Sequence, residues 1–362
     1  MSQLHSLLHY QTLTGIVNDP RGGLPTQNIP PAFFNVTRRV PGDSLTYYRV
    51  AGTRQTAIVA LRASESQRRQ LQGITEHTAK ALFVHEHIFH DVDVLNMLRD
   101  VNNPARQEMG RQEIARQAAY TRQYLDNFRA ASIASALLMG KIHYSIGEPL
   151  LGSGGTEIDY GIPAGNRNAL DVFGDGALIG ASWAVAGTPI VTHVEDIKNA
   201  ALRKTGYPLR HAFYGSKMLE YLLANNQVKE LLKANTALSA AFTARTIPSG
   251  FLGLEWHNGA EFFFEQADGT IVTPVGEDDL VLTPDPSPDW WDVVEGSYEV
   301  PTDLGSVTSD ATQAIGNFAT VSGRFNYATI SKDPSGIKHN YGDTFLPILK
   351  VPGAVFHADV TP

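Results

Sequence analysis

The chain has 362 residues, 43% of them hydrophobic, enough for one large core or two ordinary ones, which excludes intrinsic disorder. Lys and Arg number 29 against 37 Asp and Glu, and the net charge of -8 excludes a polycation that neutralises nucleic-acid phosphates over its whole surface. With no cysteine there is no disulfide framework, thiolate metal site or cysteine nucleophile.

Glycine (32) and proline (20) favour β-structure, turns and extended arms over helical bundles. Residues 1–35 carry Pro20, Pro25, Pro30 and Pro31 with Gly22 and Gly23, which blocks a continuous helix and predicts an extended arm. From Val36 to about Ala63 the runs SLTYYRV and TAIVALR predict a long hairpin. The next stretch, SESQRRQLQGITEHTAKALFVHEHIFHD, has helical spacing at Leu71, Ile74, Ala79, Leu82 and Phe83; it predicts a helix, with Gly73 and the β-branched residues against it. Between Asn103 and Gly140 the signal is clearest: Asn103 suits an N-cap, Pro104 the first helical position and Gly140 a terminator. A helix over 104–139 is about 54 Å long. Its apolar stripe is sparse at Ile114, Ala118 and Leu125 and dense only at Ile133, Leu137 and Leu138, so its front half is read as partly solvated.

KIHYS, TEIDYGIP and NALDVF predict a strand meander. A second helix is expected to open with a capping box at Thr192 and Glu195 and to stop at Gly206 and Pro208. LRHAFY is strand-like, and SKMLEYLLANNQVKELLKAN gives two short helices broken near Asn225-Asn226. Asn258-Gly259 and Asp268-Gly269 are hairpin-turn dipeptides, and late strands follow in SGRFNYATIS and DTFLPILKVPGAVFHADV. Helices and strands in separate runs make the chain α+β, and the lack of βαβ alternation argues against a Rossmann or barrel enzyme. The longest apolar stretch, Ala130 to Met139, is about half a bilayer span, and the N-terminus lacks a signal peptide's features; the chain is expected to be made in the cytosol, with no membrane partner.

Chemistry is sparse. His85, Glu86, His87, His90, Asp91 and Asp93 are proper ligand types, but the spacing misses the zincin pattern, and the ordinary reading is a polar helix face. The stretch Leu151 to Thr156 has glycines but neither a phosphate-loop ending nor a dinucleotide pattern, so a tight turn is expected. Ser335 to Lys338 matches S-x-x-K without its companion motifs. No catalytic residue, metal ligand or cofactor is therefore assigned.

The charge is uneven. Residues 1–62 carry six Arg and two acidic residues, whereas 251–310 carry fourteen Asp or Glu and no Lys or Arg. These are either two solvated faces of one monomer or surfaces that attract one another between copies. Arg38, Arg39, Arg49 and Arg54 against Glu277, Asp278 and Asp279 are the candidate inter-subunit contacts. Trp290 and Trp291, costly to expose, join them as a pair that either fills the core or meets a neighbour.

The stretch from Ala169 to Lys233 resembles the lambda-type major capsid proteins of tailed phages, the capsid protein E family, through Trp183, Pro189, Asp196-Ile197, Gly206, Pro208 and the helix-break-helix from Ser216 to Leu232. IVTPVGEDDLVLTP and the run from Ile330 to Val360 are similar to the family's later strands. The resemblance implies a Hong Kong 97-type fold, with an N-terminal arm (1–35), an extended hairpin loop with the start of a following helix (36–80), a peripheral domain (81–190) around a spine helix (104–139), an axial domain (191–324), and C-terminal strands (325–362) returning to the peripheral domain. It implies a virion shell of hexamers and pentamers formed from subunits in the host cytoplasm, with a separate scaffold, a portal, a decoration protein, and DNA held non-specifically. The first lysine is Lys80, which argues against a cross-linking lysine in the hairpin. An encapsulin-like nanocompartment and a hydrolase using the histidine run are the alternatives.

Overall fold

The computed structural model describes residues 29–50, 74–91, 103–166, 181–265, 269–301, 318–332 and 335–361, with single positions Asp93, Asn96 and Ile179. A short 3-10 turn (Pro31–Phe34) leads to strands β1 (Arg38–Arg39), β2 (Ser44–Val50), β3 (Ile74–Lys80) and β4 (Leu82–Asp91). The long helix α1 (Pro104–Ala134) follows, then β5 (Lys141–Tyr144), β6 (Thr156–Asp159), α2 (Ile190–Thr205) and β7 (Leu209–Tyr214). Helices α3 (Met218–Ala224), α4 (Asn226–Ala234) and α5 (Thr236–Thr243) precede β8 (Glu255–Asn258), β9 (Phe264–Glu265), β10 (Ile271–Val272) and β11 (Asp279–Pro284). The chain ends with β12 (Trp291–Glu295), β13 (Ser297–Pro301), β14 (Phe318–Ser322), β15 (Phe325–Lys332), β16 (Ser335–Leu349) and β17 (Phe356–Asp359).

Helix α1 is built as its ends dictate. Asn103 Oδ1 accepts from the Arg106 amide at 3.2 Å, Pro104 occupies the first turn, and Gly140 ends the helix at φ +70°, a conformation that favours glycine. The last turn widens to a π-helix over Ser135–Met139. Residues 130–138 are buried throughout, whereas in the front half burial is confined to positions such as Ile114, Ala118 and Leu125.

This helix packs against a mixed sheet ordered β1-β12-β16-β15, in which β16 also pairs with β4. The fifteen-residue β16 joins β15 and β4 along its first part and β12 at its end. Gly342 makes that crossing possible: a Cβ there would stand 2.2 Å from the Val84 carbonyl oxygen and 2.3 Å from the Phe325 ring. The first core lies between helix and sheet, with Ile133, Leu137, Leu138, Trp290, Trp291 and Phe345 among its members.

A second sheet, β17-β11-β7-β8, separates this core from another. Phe213 and Val281 face the first core; Ala212, Leu280 and Leu282 face the second, with Trp183, Val194, Ile197 and Phe356. Asn225 explains the break between α3 and α4: its Oδ1 accepts from the Gln227 and Val228 amides, and its Nδ2 donates to the Thr188 carbonyl at 2.7 Å.

Several expectations change. The segment predicted as a helix around 74–91 is two strands, β3 paired with β2 and β4 with β16. Exposure there alternates: Glu76, Thr78 and Lys80 are exposed while His77 and Ala79 are half-buried. In the described chain the partner of SLTYYRV is therefore 74–80, and TAIVALR, NALDVF and Arg54 lie outside the described residues. Ile29 and Phe33, inside the segment expected to be an arm, are buried in the first core, and residues 1–28 lie outside the described residues. Helix α2 starts at Ile190 after Pro189 without a side-chain cap, so Thr192 lies inside it and the capping box is not formed. Asn258 caps a one-turn 3-10 helix instead of turning a hairpin, whereas β9 and β10 do pair around the Gly269 turn. Strands β12 and β15 lie in the sheet under α1, while β17 returns to the other sheet, so neither the 191–324 block nor the C-terminal strands stay in one layer.

Candidate assembly interface

Two of the arginines expected to reach neighbouring copies, Arg38 and Arg39, find carboxylates in their own chain. β1 pairs in parallel with β12, Arg38 opposite Val294 and Arg39 opposite Glu295. Arg38 Nε then lies 3.2 Å from Asp292 Oδ2 and Arg39 Nε 3.1 Å from Glu295 Oε2. Both carboxylates are buried and serve second cations as well: Lys350 Nζ stands 2.9 Å from Asp292, and Arg129 Nη2 2.8 Å from Glu295. Arg129 makes a two-pronged bond to buried Asp343, at 2.5 and 2.8 Å, and its guanidinium lies 5.0 Å from the Phe345 ring centre. Burial opposes its charge, yet Asp343 and then Glu295 hold its pKa above the ordinary guanidinium value. Arg324 extends the chain of charges to Asp126 at 2.6 Å. The network fastens the N-terminal segment, α1, β12 and β16 to one another inside the subunit.

Arg49 Nη2 donates to the Asp159 carbonyl at 2.5 Å, tying the β2–β3 ribbon to β6. Of the acidic candidates, Glu277 and Asp278 pair with Lys217 at 2.8 and 3.3 Å, and Tyr221 donates to Asp278, which pushes its phenol up to about 12. Asp279 lies 3.2 Å from His357 Nε2, and that hydrogen bond holds its carboxyl below the usual range. Trp290 and Trp291 are fully buried in the first core, their indole nitrogens donating to the Asp285 and Phe33 carbonyls. They are structural anchors of the subunit and offer a neighbour no surface, because β12 is covered by β1 and β16 on its edges and by Phe33 on one face.

Among the described residues, the histidine run brings no three ligand atoms together. On β4 the side chains alternate, so His85 and His87 share one side and His90 faces the other, beside His339 at 5.6 Å between ring centres. In the stretch Leu151 to Thr156, Leu151 bridges His143 and Thr156 opens β6, so only the residues between them turn, within the 145–155 connection from β5.

Sequence reasoning passed over a different feature. The two-stranded ribbons project large apolar side chains into solvent: Tyr48 on β2–β3, Ile146 (96% exposed) between β5 and β6, Ile271 on β9–β10 with Phe263 at its base, and Phe318 on β13–β14. Helix α1 adds Met109, Tyr120 and Tyr124, spaced by 11 and 4 residues and so on one face. An isolated two-stranded ribbon is marginal in water, and an exposed apolar side chain on each such ribbon among the described residues is surface suited to burial against other copies. No motif marks these residues; they become visible only once the ribbons are in place.

A family model described as phage major capsid protein E matches residues 30–360. No curated protein matches the chain. Among solved structures, a putative prophage capsid protein from E. coli CFT073 is 16% identical with a TM-score of 0.54, over 97% of this chain and 99% of that one. A phage-related protein of Bordetella bronchiseptica RB50 is 10% identical with a TM-score of 0.46, over 98% and 97% of the two chains. The bacteriophage PhiM1 mature capsid subunit is 12% identical with a TM-score of 0.45, over 94% and 91%. The fold is the Hong Kong 97-type capsid fold, and with the family match running through both sheets and the spine helix, this chain belongs to the phage major capsid protein E family, whose role is the head shell.

Proposed function

We propose that the chain packs as hexamers and pentamers into a closed icosahedral shell around double-stranded DNA, with a structural and not a catalytic role. The observation that carries this reading is the exposed apolar residue on each two-stranded ribbon among the described residues, in a subunit whose Arg38 and Arg39 already pair with its own carboxylates. In this reading the ribbons lie across neighbours, the β7-centred sheet with its helices forms the axial domain, and the sheet under α1 forms the peripheral one. A separate scaffold, a portal and a decoration protein belong to the same proposal, as does assembly in the host cytoplasm from subunits in which no described helix is long and apolar enough to cross a membrane. The net charge of -8 suits a wall that holds DNA without gripping it.

Electron microscopy of nuclease-treated particles from expressing cells tests this. Closed shells protecting nuclease-resistant DNA support it. Shells filled with protein instead would favour a nanocompartment, and the absence of any particle would overturn the assembly reading.

A further inference from the structure

Among the described residues, one group brings three metal-ligating atoms within 4.8 Å of one another: His211, Glu255 and His257. The parallel pairing of β7 with β8 sets it up. His211 lies opposite Glu255, and the two-residue period of a strand puts His257 on the same face as Glu255. That face points away from Ala212 and Trp256, which belong to the second core, and toward the N-terminal segment.

The distances are those of a ligand set. His211 Nδ1 is 3.1 Å from His257 Nε2 and 3.4 Å from Glu255 Oε2. Two zinc–ligand bonds of about 2.0–2.1 Å at a tetrahedral angle place their donor atoms roughly 3.3 Å apart. On its far side, His211 Nε2 lies 3.1 Å from Asp285 Oδ1, just beyond β11. A carboxylate there keeps the proton on Nε2 and leaves the Nδ1 lone pair directed at an imidazole nitrogen and a carboxylate oxygen. Lone pairs converging in this way call for a cation between them.

The surroundings fit as well. Phe33 packs edge-on to His211 at 5.4 Å, and Phe213 stacks on His257 at 5.0 Å, which gives a dry wall on the inner side. Glu255 is exposed, so the outer side supplies an entry path and room for a water as fourth ligand. Two imidazoles and one carboxylate suit zinc, whereas magnesium and calcium prefer oxygen ligands.

We propose that His211, Glu255 and His257, with Asp285 orienting His211, form a zinc-class divalent-cation site that pins β7 to β8 beneath the N-terminal segment. A proton on His257 Nε2 could bridge the two imidazoles without an ion, and experiment separates the two cases. The full chain, stripped with EDTA, is titrated with Co²⁺ at about pH 7.5. The expected result is one Co²⁺ per chain with an intense tetrahedral visible band, displaced by Zn²⁺, and a melting temperature raised by Zn²⁺. His257→Gln and Glu255→Gln should each weaken binding by at least about tenfold, and Asp285→Asn by about 10–100-fold, without changing the far-UV spectrum. Wild-type chain that takes up neither Co²⁺ nor Zn²⁺ overturns the site in favour of the proton bridge. So does binding that persists undiminished in Glu255→Gln, a variant at an exposed position that decides the matter even if His257→Gln fails to fold.

Discussion

Arg129 is the residue on which most of the subunit's buried charge depends. It faces both Asp343 and Glu295, each almost without solvent, so its loss leaves Asp343 with only Arg324, 3.5 Å away, and Glu295 with only the largely exposed Arg39. Arg129→Met is expected to cost about 3–5 kcal/mol in denaturant unfolding. Adding Asp343→Asn should recover part of that; a single variant within about 0.5 kcal/mol of wild type would show the network to be idle. His339 gives the subunit an acid limit. Burial, and then the nearby His90 charge, push its pKa down to about 4 from 6.5. A depressed histidine binds its proton in the unfolded chain first, so its contribution is complete above pH 6.5 and is lost as pH falls toward 4. Up to about 3 kcal/mol is at stake, and His339→Leu should flatten that limb of the stability–pH curve.

At the scale of elements, the ribbons carry the assembly surface. Ile146→Lys with Phe318→Ser is expected to leave the subunit's melting temperature within about a degree or two, because both side chains contact mainly solvent. The same change should reduce the yield of shells several-fold by sedimentation. Equal loss of subunit stability would place these residues in the fold instead. The sequence reveals some elements and hides others for identifiable reasons. Helix α1 was legible because Asn103, Pro104 and Gly140 act locally. Strands β3 and β4 were not, because Ala79, Leu82 and Phe83 also satisfy helical spacing, and only pairing with β2 and β16 decides between the periods. The partners of Arg38 and Arg39 lie more than 250 residues away across a parallel bridge. The His211 cluster depends on the register of two strands 44 residues apart. No local pattern encodes either.

For the whole molecule, the uneven charge of the sequence acquires a different meaning. The basic N-terminal region and the acidic 251–310 segment do attract one another, but within one subunit, through Arg38–Asp292 and Arg39–Glu295. Reversing both arginines to Glu sets like charges beside buried carboxylates, and it is expected to lower the melting temperature of the isolated subunit, whereas the intersubunit reading predicts an effect on assembly alone. Arg38 and Arg39 are thus engaged within the subunit, and the exposed apolar residues of the ribbons are the surface proposed to meet its neighbours. A cryo-electron-microscopy reconstruction of assembled particles tests this directly. Ile146, Phe263 and Phe318 are expected to be buried in contacts between subunits, with Arg38 and Arg39 still bound to Asp292 and Glu295 of their own chain. Ribbons left in solvent, with those arginines exchanged onto the carboxylates of adjacent subunits, would contradict it.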